Sequence, residues 1–292
     1  PEYRRQRQMC IRDRFYNQSE KLSVILMQEI MNIPWGRILG FTVCLYLFFI
    51  FLAWAYASRV MFPAPSPTYE KSESIKLLQT PSGNKIALAQ HGNLENPKIS
   101  ILYSHGNAED LGRLESFFEK WKNQDWEFIA YDYPGYGLST GTPSEESCYE
   151  SMDVVYQYLL NELGRAPERI LIWGRSLGTG PSCYIASKQK AAAIILETPF
   201  TSAFRTVSEI PLLPWDYFNN LEHTKSITCP SLIIHGEWDE VVPIRHGMRL
   251  HHQLPEPKEF LEIKEATHND LEQVGGKNYH DTIVRFIDNL AS

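Results

Sequence analysis

The chain has 292 residues, 43% of them hydrophobic, which is enough for one full-sized domain plus an appendage. Its net charge of −7 is uneven, because five arginines against Glu2, Asp13 and Glu20 make residues 1–20 net +2 and leave −9 on the remainder. An acidic body argues against a nucleic-acid partner, and five scattered cysteines, one inside an apolar run, do not read as a disulfide framework.

The chain opens on Pro1, and Arg4, Arg5, Arg7, Arg12 and Arg14 crowd a stretch without hydrophobic periodicity. One reading is a basic arm for nucleic acid or anionic lipid. The favoured reading is that residues 1–26 are a non-native or disordered extension. Its residues 5–14 look like translated adapter sequence, and the start falls at Met27 or Met31. From Ile38 to Ser58 no residue is charged, and a spanning helix needs about 20 apolar residues. Trp35 before the run and Trp54 and Tyr56 near its end suit an interfacial aromatic belt. Residues 36–58 are therefore expected to form a transmembrane anchor. A signal sequence cut after Ala55-Tyr56-Ala57 is the alternative, although the run is longer than a usual signal core. Arg37 and Arg59 flank the run on opposite sides, so charge hardly sets its orientation. The default for a single N-terminal apolar segment puts the catalytic domain on the non-cytoplasmic side of a single-pass protein.

Residues 59–73 read as a Pro-rich linker, with Phe62-Pro63-Ala64-Pro65-Ser66-Pro67 stiff and extended, and the catalytic domain is expected over 74–292. Ile75–Leu78 and Lys85–Leu88, separated by Pro81-Ser82-Gly83-Asn84, predict a hairpin. Strands follow at Ile99–Tyr103, Glu127–Tyr131, Arg169–Trp173, Ala191–Leu196, Ser231–His235 and Glu259–Ile263. Helical patterns fall near Leu111–Lys122, Ser147–Leu163 and Pro181–Lys188. This alternation predicts an α/β fold with a mostly parallel central sheet flanked by helices on both faces.

The fifth of these strand patterns runs straight into Gly174-Arg175-Ser176-Leu177-Gly178. A serine flanked by glycines two positions away, after a buried strand and before a helix, can occupy a sharp turn that a side chain at either glycine would block. A serine hydroxyl there needs a base, a carboxylate to orient the base, and donors for an oxyanion. In such an architecture the acid and the histidine follow the serine, each after a later strand. Asp239 follows Ser231–His235 and His268 follows Glu259–Ile263, so Ser176, Asp239 and His268 are the expected triad. Glu197, at the end of Ile194-Ile195-Leu196, is a rival acid, or else a support that hydrogen-bonds loop amides. The turn His105-Gly106-Asn107 after Ile99–Tyr103 offers the amide of Asn107 as one oxyanion donor, with Leu177 as the other. His105, Asp132 and Ser139 read as structural. Asp270 reads as a helix N-terminal carboxylate or a partner to the histidine loop, Glu240 as solvent-facing, and His223, His251, His252 and His280 as unconnected with the chemistry.

Together these pieces resemble the α/β-hydrolase superfamily. More narrowly they resemble the alpha/beta hydrolase domain-containing proteins, which include membrane-anchored serine hydrolases and palmitoyl-protein thioesterases. The matching residues are His105–Gly112, Tyr131-Asp132-Tyr133-Pro134-Gly135-Tyr136-Gly137 with Ser139, Gly174–Thr179, His235-Gly236 through Asp239-Glu240-Val241, and His268-Asn269-Asp270. The resemblance spans Ser74 to Leu290 and implies an α/β-hydrolase fold and a serine hydrolase of acyl esters or thioesters, with no metal and no cofactor. The palmitoyl-protein thioesterases attach through lipidated cysteines, whereas this chain carries an apolar segment. Two other functions stay open. One is an aminopeptidase, for which Glu209, Asp216 and Glu222 are the acidic candidates to hold a substrate amine; the other is a hydrolase-fold module that only binds a partner. Only a short insertion separates Glu197 from Ser231, and Phe200, Phe204, Ile210, Leu213, Trp215 and Phe218 make it apolar. A short apolar cap suits a lipid or acylated-protein substrate, although the same residues could simply pack on the sheet.

Overall fold

The computed structural model describes residues 21–23, 26–28 and 34–290, so most of the expected extension lies outside the described residues. Two compact units divide the chain, Pro1–Tyr56 and Ala57–Ser292. The first unit carries most of helix α1 (Trp35–Met61), 27 residues long. At about 1.5 Å per residue it measures roughly 40 Å, more than the roughly 30 Å of a bilayer's hydrocarbon core. Its apolar side chains, Phe41, Leu45 and Phe48 among them, lie exposed, and the helix is long and apolar enough to cross a membrane. The hydroxyl of Thr42 donates to the carbonyl of Ile38 at 2.9 Å, so that polar group is satisfied within the helix.

The second unit is built on an eight-stranded sheet of order β1-β2-β4-β3-β5-β6-β7-β8. The hairpin β1 (Ile75–Gln79) and β2 (Lys85–Gly92) pairs antiparallel, and β2 also meets β4 (Trp126–Tyr131) antiparallel. From β4 onward every pairing is parallel, through β3 (Ile99–Ser104), β5 (Ile170–Arg175), β6 (Ala193–Glu197), β7 (Ser231–Gly236) and β8 (Lys258–Ile263). The middle strands β3 to β7 are buried along nearly their whole length, because helices cover both faces; that is why they read as continuous apolar runs. Helices α3 (Glu145–Asn161), α4 (Thr179–Lys188) and α6 (Arg245–Gln253) lie on one face, where Ile172, Leu196 and Ile233 point. Helices α2 (Glu115–Lys120) and α7 (Leu271–Asn289) cover the other face, over Tyr103, Trp173 and Ile234. The short α5 (Asn220–His223) closes the insertion before β7.

The chain leaves β3 toward β4 on one side and reaches β5 on the other. This reversal opens a crevice at the carboxyl ends of the parallel strands. The fold is the α/β-hydrolase fold, as the sequence predicted.

Three expectations change in detail. The helix read near Leu111–Lys122 is a 3₁₀ turn (Leu111–Leu114) followed by α2, because Asp132 takes the Leu111 amide at 3.0 Å and Asp110 caps the turn. Helix α7 is foreshadowed only by Asp270, read as a helix N-terminal carboxylate, and not by a helical pattern; Gly275 and Gly276 interrupt that pattern, and the helix kinks at Gly276, where φ is 48°. The segment after Met61, read as a stiff, extended linker, is docked. Phe62 is buried with its ring 6.1 Å from that of Phe218, the Thr68 amide donates to Asp110 at 2.6 Å, and the Tyr69 hydroxyl donates to Asp132.

Candidate active site

Strand β5 delivers Ser176 onto a turn with φ of +50°, a left-handed conformation that costs a residue with a Cβ about 1–3 kcal/mol. The glycines around it make the turn possible. A Cβ on Gly174 would stand 2.5 Å from the carbonyl oxygen of Gly178, and one on Gly178 would stand 2.1 Å from that of Ser104. The strand therefore passes directly into α4 through a single 3₁₀ turn, with the hydroxyl of Ser176 turned outward.

Residues 92 positions apart then meet: Ser176 Oγ lies 2.9 Å from His268 Nε2. His268 Nδ1 lies 2.8 Å from Asp239 Oδ2. His268 rides on the loop after β8, where the Asp270 carboxylate accepts the Thr267 amide at 2.6 Å and so heads α7 and shapes the histidine loop together. Asp239 is fixed by the turn after β7. Its Oδ1 accepts the amides of Val241 at 3.0 Å and Val242 at 2.7 Å. His235 Nε2 sits 3.4 Å from Asp239 Oδ2. Burial would push the Asp239 carboxyl up, but the neighbouring His235, whose Nε2 bonds the Val242 carbonyl at 2.7 Å, together with the His268 hydrogen bond, the nearby His268 charge and the Val242 amide, holds it well below the usual carboxylate range. It stays ionised and acceptor-only, the state in which it orients an imidazole. His235 is the supporting residue that sequence reasoning passed over; its one local signal is the His-Gly step at a strand end, shared with His105-Gly106.

The rival acid stands elsewhere. Glu197 is fully buried at the end of β6 and accepts the Tyr279 hydroxyl, not loop amides, while Asp239 takes the place beside His268. Burial, opposed by the Tyr279 bond and by Arg175, raises the Glu197 carboxyl to about 7.

The loop after β3 carries Asn107, one of the two expected oxyanion donors. His105 is buried with Nδ1 2.8 Å from the Gly106 carbonyl and Nε2 3.4 Å from Asp132 Oδ1, and its own carbonyl accepts the Tyr133 hydroxyl at 2.7 Å. The Tyr136 hydroxyl donates to the Asn107 side-chain oxygen at 3.2 Å. No turn or loop hydrogen bond uses the amides of Leu177 or Asn107 among the described residues, so both are free to donate to an incoming atom. Ser139 accepts the Ala87 amide at 2.8 Å and donates to the Asp132 carbonyl at 2.8 Å, the structural part read for both. Among the described residues no group of three or more His, Cys, Asp or Glu side chains is arranged to hold a metal ion.

The insertion after β6 is half core and half surface. Phe200 and Phe218 are buried, and the Phe218 ring presses on Gly180, where a Cβ would stand 2.4 Å away. The base is closed by the Ala203 amide on the Tyr217 carbonyl at 2.8 Å and by Asp216, which accepts Ser202 Oγ and the Phe204 amide at 2.7 Å each. Its tip is open to solvent, with Val207 89% and Ile210 67% exposed, and on the neighbouring Asp239 turn Trp238 is 58% exposed. Glu209 pairs with Arg245 and Arg249, Glu222 with Lys225, and Asp216 with the cap base, so the three acids considered for an amine are all engaged. Among the other histidines, His223 bonds Tyr149 at 3.2 Å and His280 pairs with Glu272 at 3.2 Å, both away from the triad residues.

Comparison with known proteins follows the same lines. The family model described as serine aminopeptidase, S33, matches residues 95–214. Alpha/beta hydrolase domain-containing protein 17B of Xenopus tropicalis is 35% identical over 239 residues, covering 80% of this chain and 78% of that protein. The human protein of the same name is 34% identical over 239 residues, with the same shares of each chain. The crystal structure of the esterase RhEst1 from Rhodococcus sp. ECU1013 superposes with a TM-score of 0.61 at 18% identity, over 74% of this chain and 99% of that one, a likeness of fold.

Proposed function

Since this chain belongs to the α/β-hydrolase superfamily, among the alpha/beta hydrolase domain-containing proteins, we propose that it is a membrane-anchored serine hydrolase of acyl esters or thioesters. The observation that carries the reading is the relay from Ser176 through His268 to Asp239, set on a strained turn at the mouth of the sheet crevice. In the proposed reaction Ser176 Oγ attacks the acyl carbonyl carbon while His268 Nε2 takes its proton. Asp239 holds the imidazole and stabilises its cation. The carbonyl oxygen becomes an oxyanion between the amides of Leu177 and Asn107. Collapse of this intermediate breaks the bond to the alcohol or thiol, which leaves with the proton from His268, and an acyl-serine remains. Water, deprotonated by the same imidazole, then releases the acid and restores Ser176.

An apolar cap tip on the domain and an apolar helix long enough to anchor the chain in a membrane favour lipid-like or acylated substrates. The matched family model favours a second reading, an aminopeptidase, but Glu209, Asp216 and Glu222 are all taken by other partners. The anchor reading places the catalytic domain on the non-cytoplasmic side, which protease shaving of intact cells checks: an untouched domain reverses that orientation. For the reaction, a fluorophosphonate probe labels the wild type and not Ser176→Ala; equal labelling of both overturns the assignment. A chain-length series of acyl esters and thioesters then tests the substrate class. Activity confined to acetyl esters removes the lipid-facing part, and strong preference for an aminoacyl amide favours the aminopeptidase.

A further inference from the structure

Arg175, the variable residue inside the Gly-x-Ser-x-Gly turn, does more than fill a position. Its Nη1 donates to Glu109 Oε1, and its Nη2 donates to Asn269 Oδ1 at 3.1 Å. The other oxygen of Glu109 accepts the Gly106 amide at 2.7 Å. One guanidinium and one carboxylate therefore join three loops that belong to three different strands. In each loop the residue they grip is the immediate neighbour of one that the proposed reaction uses. Arg175 precedes Ser176, Asn269 follows His268, and Gly106 precedes Asn107.

The packing around this clamp is tight. A Cβ on Gly106 would stand 2.9 Å from Glu109 Oε2 and 3.7 Å from Arg175 Nη1, so the pair lies directly against the backbone of the oxyanion loop. Both side chains are mostly covered, with 21% of Arg175 and 24% of Glu109 exposed, so the pair is only partly screened by water. Burial opposes the charge on Glu109, yet Arg175, His105 and the Gly106 amide hold its carboxyl below the usual value, so the clamp is ionised at neutral pH. A planar fork with several donors can hold two acceptors in fixed directions, which a lysine ammonium on a flexible stem cannot do.

We propose that Arg175 and Glu109 are positioning residues: together with Asn269 they set the distance between the nucleophile, the imidazole and the oxyanion amides. This rests on the serine-hydrolase reading above. The clamp touches neither the substrate nor the imidazole ring, and it acts through the loops it joins.

The experiment is the rate constant and the final stoichiometry of fluorophosphonate labelling on the full-length protein in detergent, with a thermal unfolding midpoint for each variant. Arg175→Lys keeps a cation beside Glu109 but loses the fork, and Asn269→Ala keeps the ion pair but frees the histidine loop. Both variants are expected to slow labelling roughly 10- to 100-fold, the scale of a misplacement of about 1 Å. Full final stoichiometry is expected to be kept, as is the pH midpoint of the labelling rate. Arg175→Gln and Glu109→Gln are each expected to slow it as much or more, and their double variant no more than the worse single one, because the two act as a unit. A purely structural role gives the opposite pattern, with a lower labelled fraction, an unchanged rate constant and additive losses, and that overturns the proposal. Wild-type rates in Arg175→Lys and Asn269→Ala overturn it as well. Failure of the underlying reading is separate: then the wild type does not label, or Ser176→Ala labels equally.

Discussion

The platform that carries Ser176, Asp239 and His268 and the insertion between β6 and β7 are held in different ways. On the platform Asp239 accepts the amides of Val241 and Val242, is bonded to His268 and has His235 3.4 Å away. Glycines let backbones touch there, at Gly174, Gly178 and Gly236. The insertion is held at its base through Phe218, Asp216 and Tyr217, its tip carries the exposed ion pairs of Glu209 with Arg245 and Arg249, and Val207 and Ile210 present apolar side chains to solvent. A reaction that needs its groups within a fraction of an ångström requires the first arrangement. Recognition of flexible acyl chains tolerates the second. Substitutions on the platform should therefore act on rate and folding steeply, and substitutions at the tip should act weakly and on substrate choice.

The steepest test of that contrast is Asp239→Asn. The side chain keeps its shape but no longer presents two acceptor oxygens, so the imidazole loses its orientation and its counter-charge. The turnover number is expected to fall roughly 10³- to 10⁴-fold with the unfolding midpoint little changed. A loss of only a few-fold would move the acid's role away from Asp239. Next comes Gly178→Ala, whose Cβ would stand 2.1 Å from the Ser104 carbonyl oxygen. Backbone cannot yield as a side-chain tip can, so a cost of about 3 kcal/mol or more is expected. In a domain of this size that is a drop of roughly 10 °C in Tm by calorimetry.

Glu197 tests the platform from the other direction, because its charge is a burden. Its folded-state value of about 7 lies above the ordinary 4.5, so the folded protein holds that proton more tightly than the unfolded chain does. The contribution is fully present below pH 4.5 and is lost as pH rises through 7. Glu197→Gln keeps an acceptor for Tyr279 and removes the titration. Urea unfolding should show the variant near the wild type at pH 5 and more stable at pH 8, by up to about 3 kcal/mol. A pH-independent difference would mean that Glu197 does not titrate in this range. The smallest effect belongs to the cap tip. Val207→Ser combined with Ile210→Ser should change stability by less than about 0.5 kcal/mol. The specificity constant for long-chain esters should fall a few-fold, with acetyl esters unaffected, as read from the chain-length series. Equal slowing for all chain lengths would show that the tip belongs to the platform after all.

Sequence reading found the parts that local pattern encodes. Strand runs such as Ile170–Trp173 and Leu232–Ile234 are legible because burial on both faces demands continuous apolar residues. The turn at Ser176 is legible because only glycines fit two positions away on either side. The order Ser176, Asp239, His268 follows from the strands that precede each residue. Helix α7 was harder to read, since paired glycines break its periodicity while packing under Ile263, which lies elsewhere in the sequence, secures it. Chain order favours Asp239 over Glu197 as the acid but shows nothing of what surrounds either one. Glu197 ends β6 and Asp239 lies in the turn after β7, and their neighbours differ: His235 and His268 for Asp239, Tyr279 for Glu197.

What the sequence by itself determined was therefore the α/β class, the apolar N-terminal helix, the sharp turn and the candidate residues, because each depends on periodicity, turn chemistry or chain order. The tertiary structure alone decided that Phe62, Thr68 and Tyr69 are docked on the domain and that His235 braces Asp239. It also brought Arg175, Glu109 and Asn269 into one clamp. Those contacts join residues separated by tens of positions. Their strength comes from burial and from the direction of a few hydrogen bonds, which exist only once the sheet has brought its loops together.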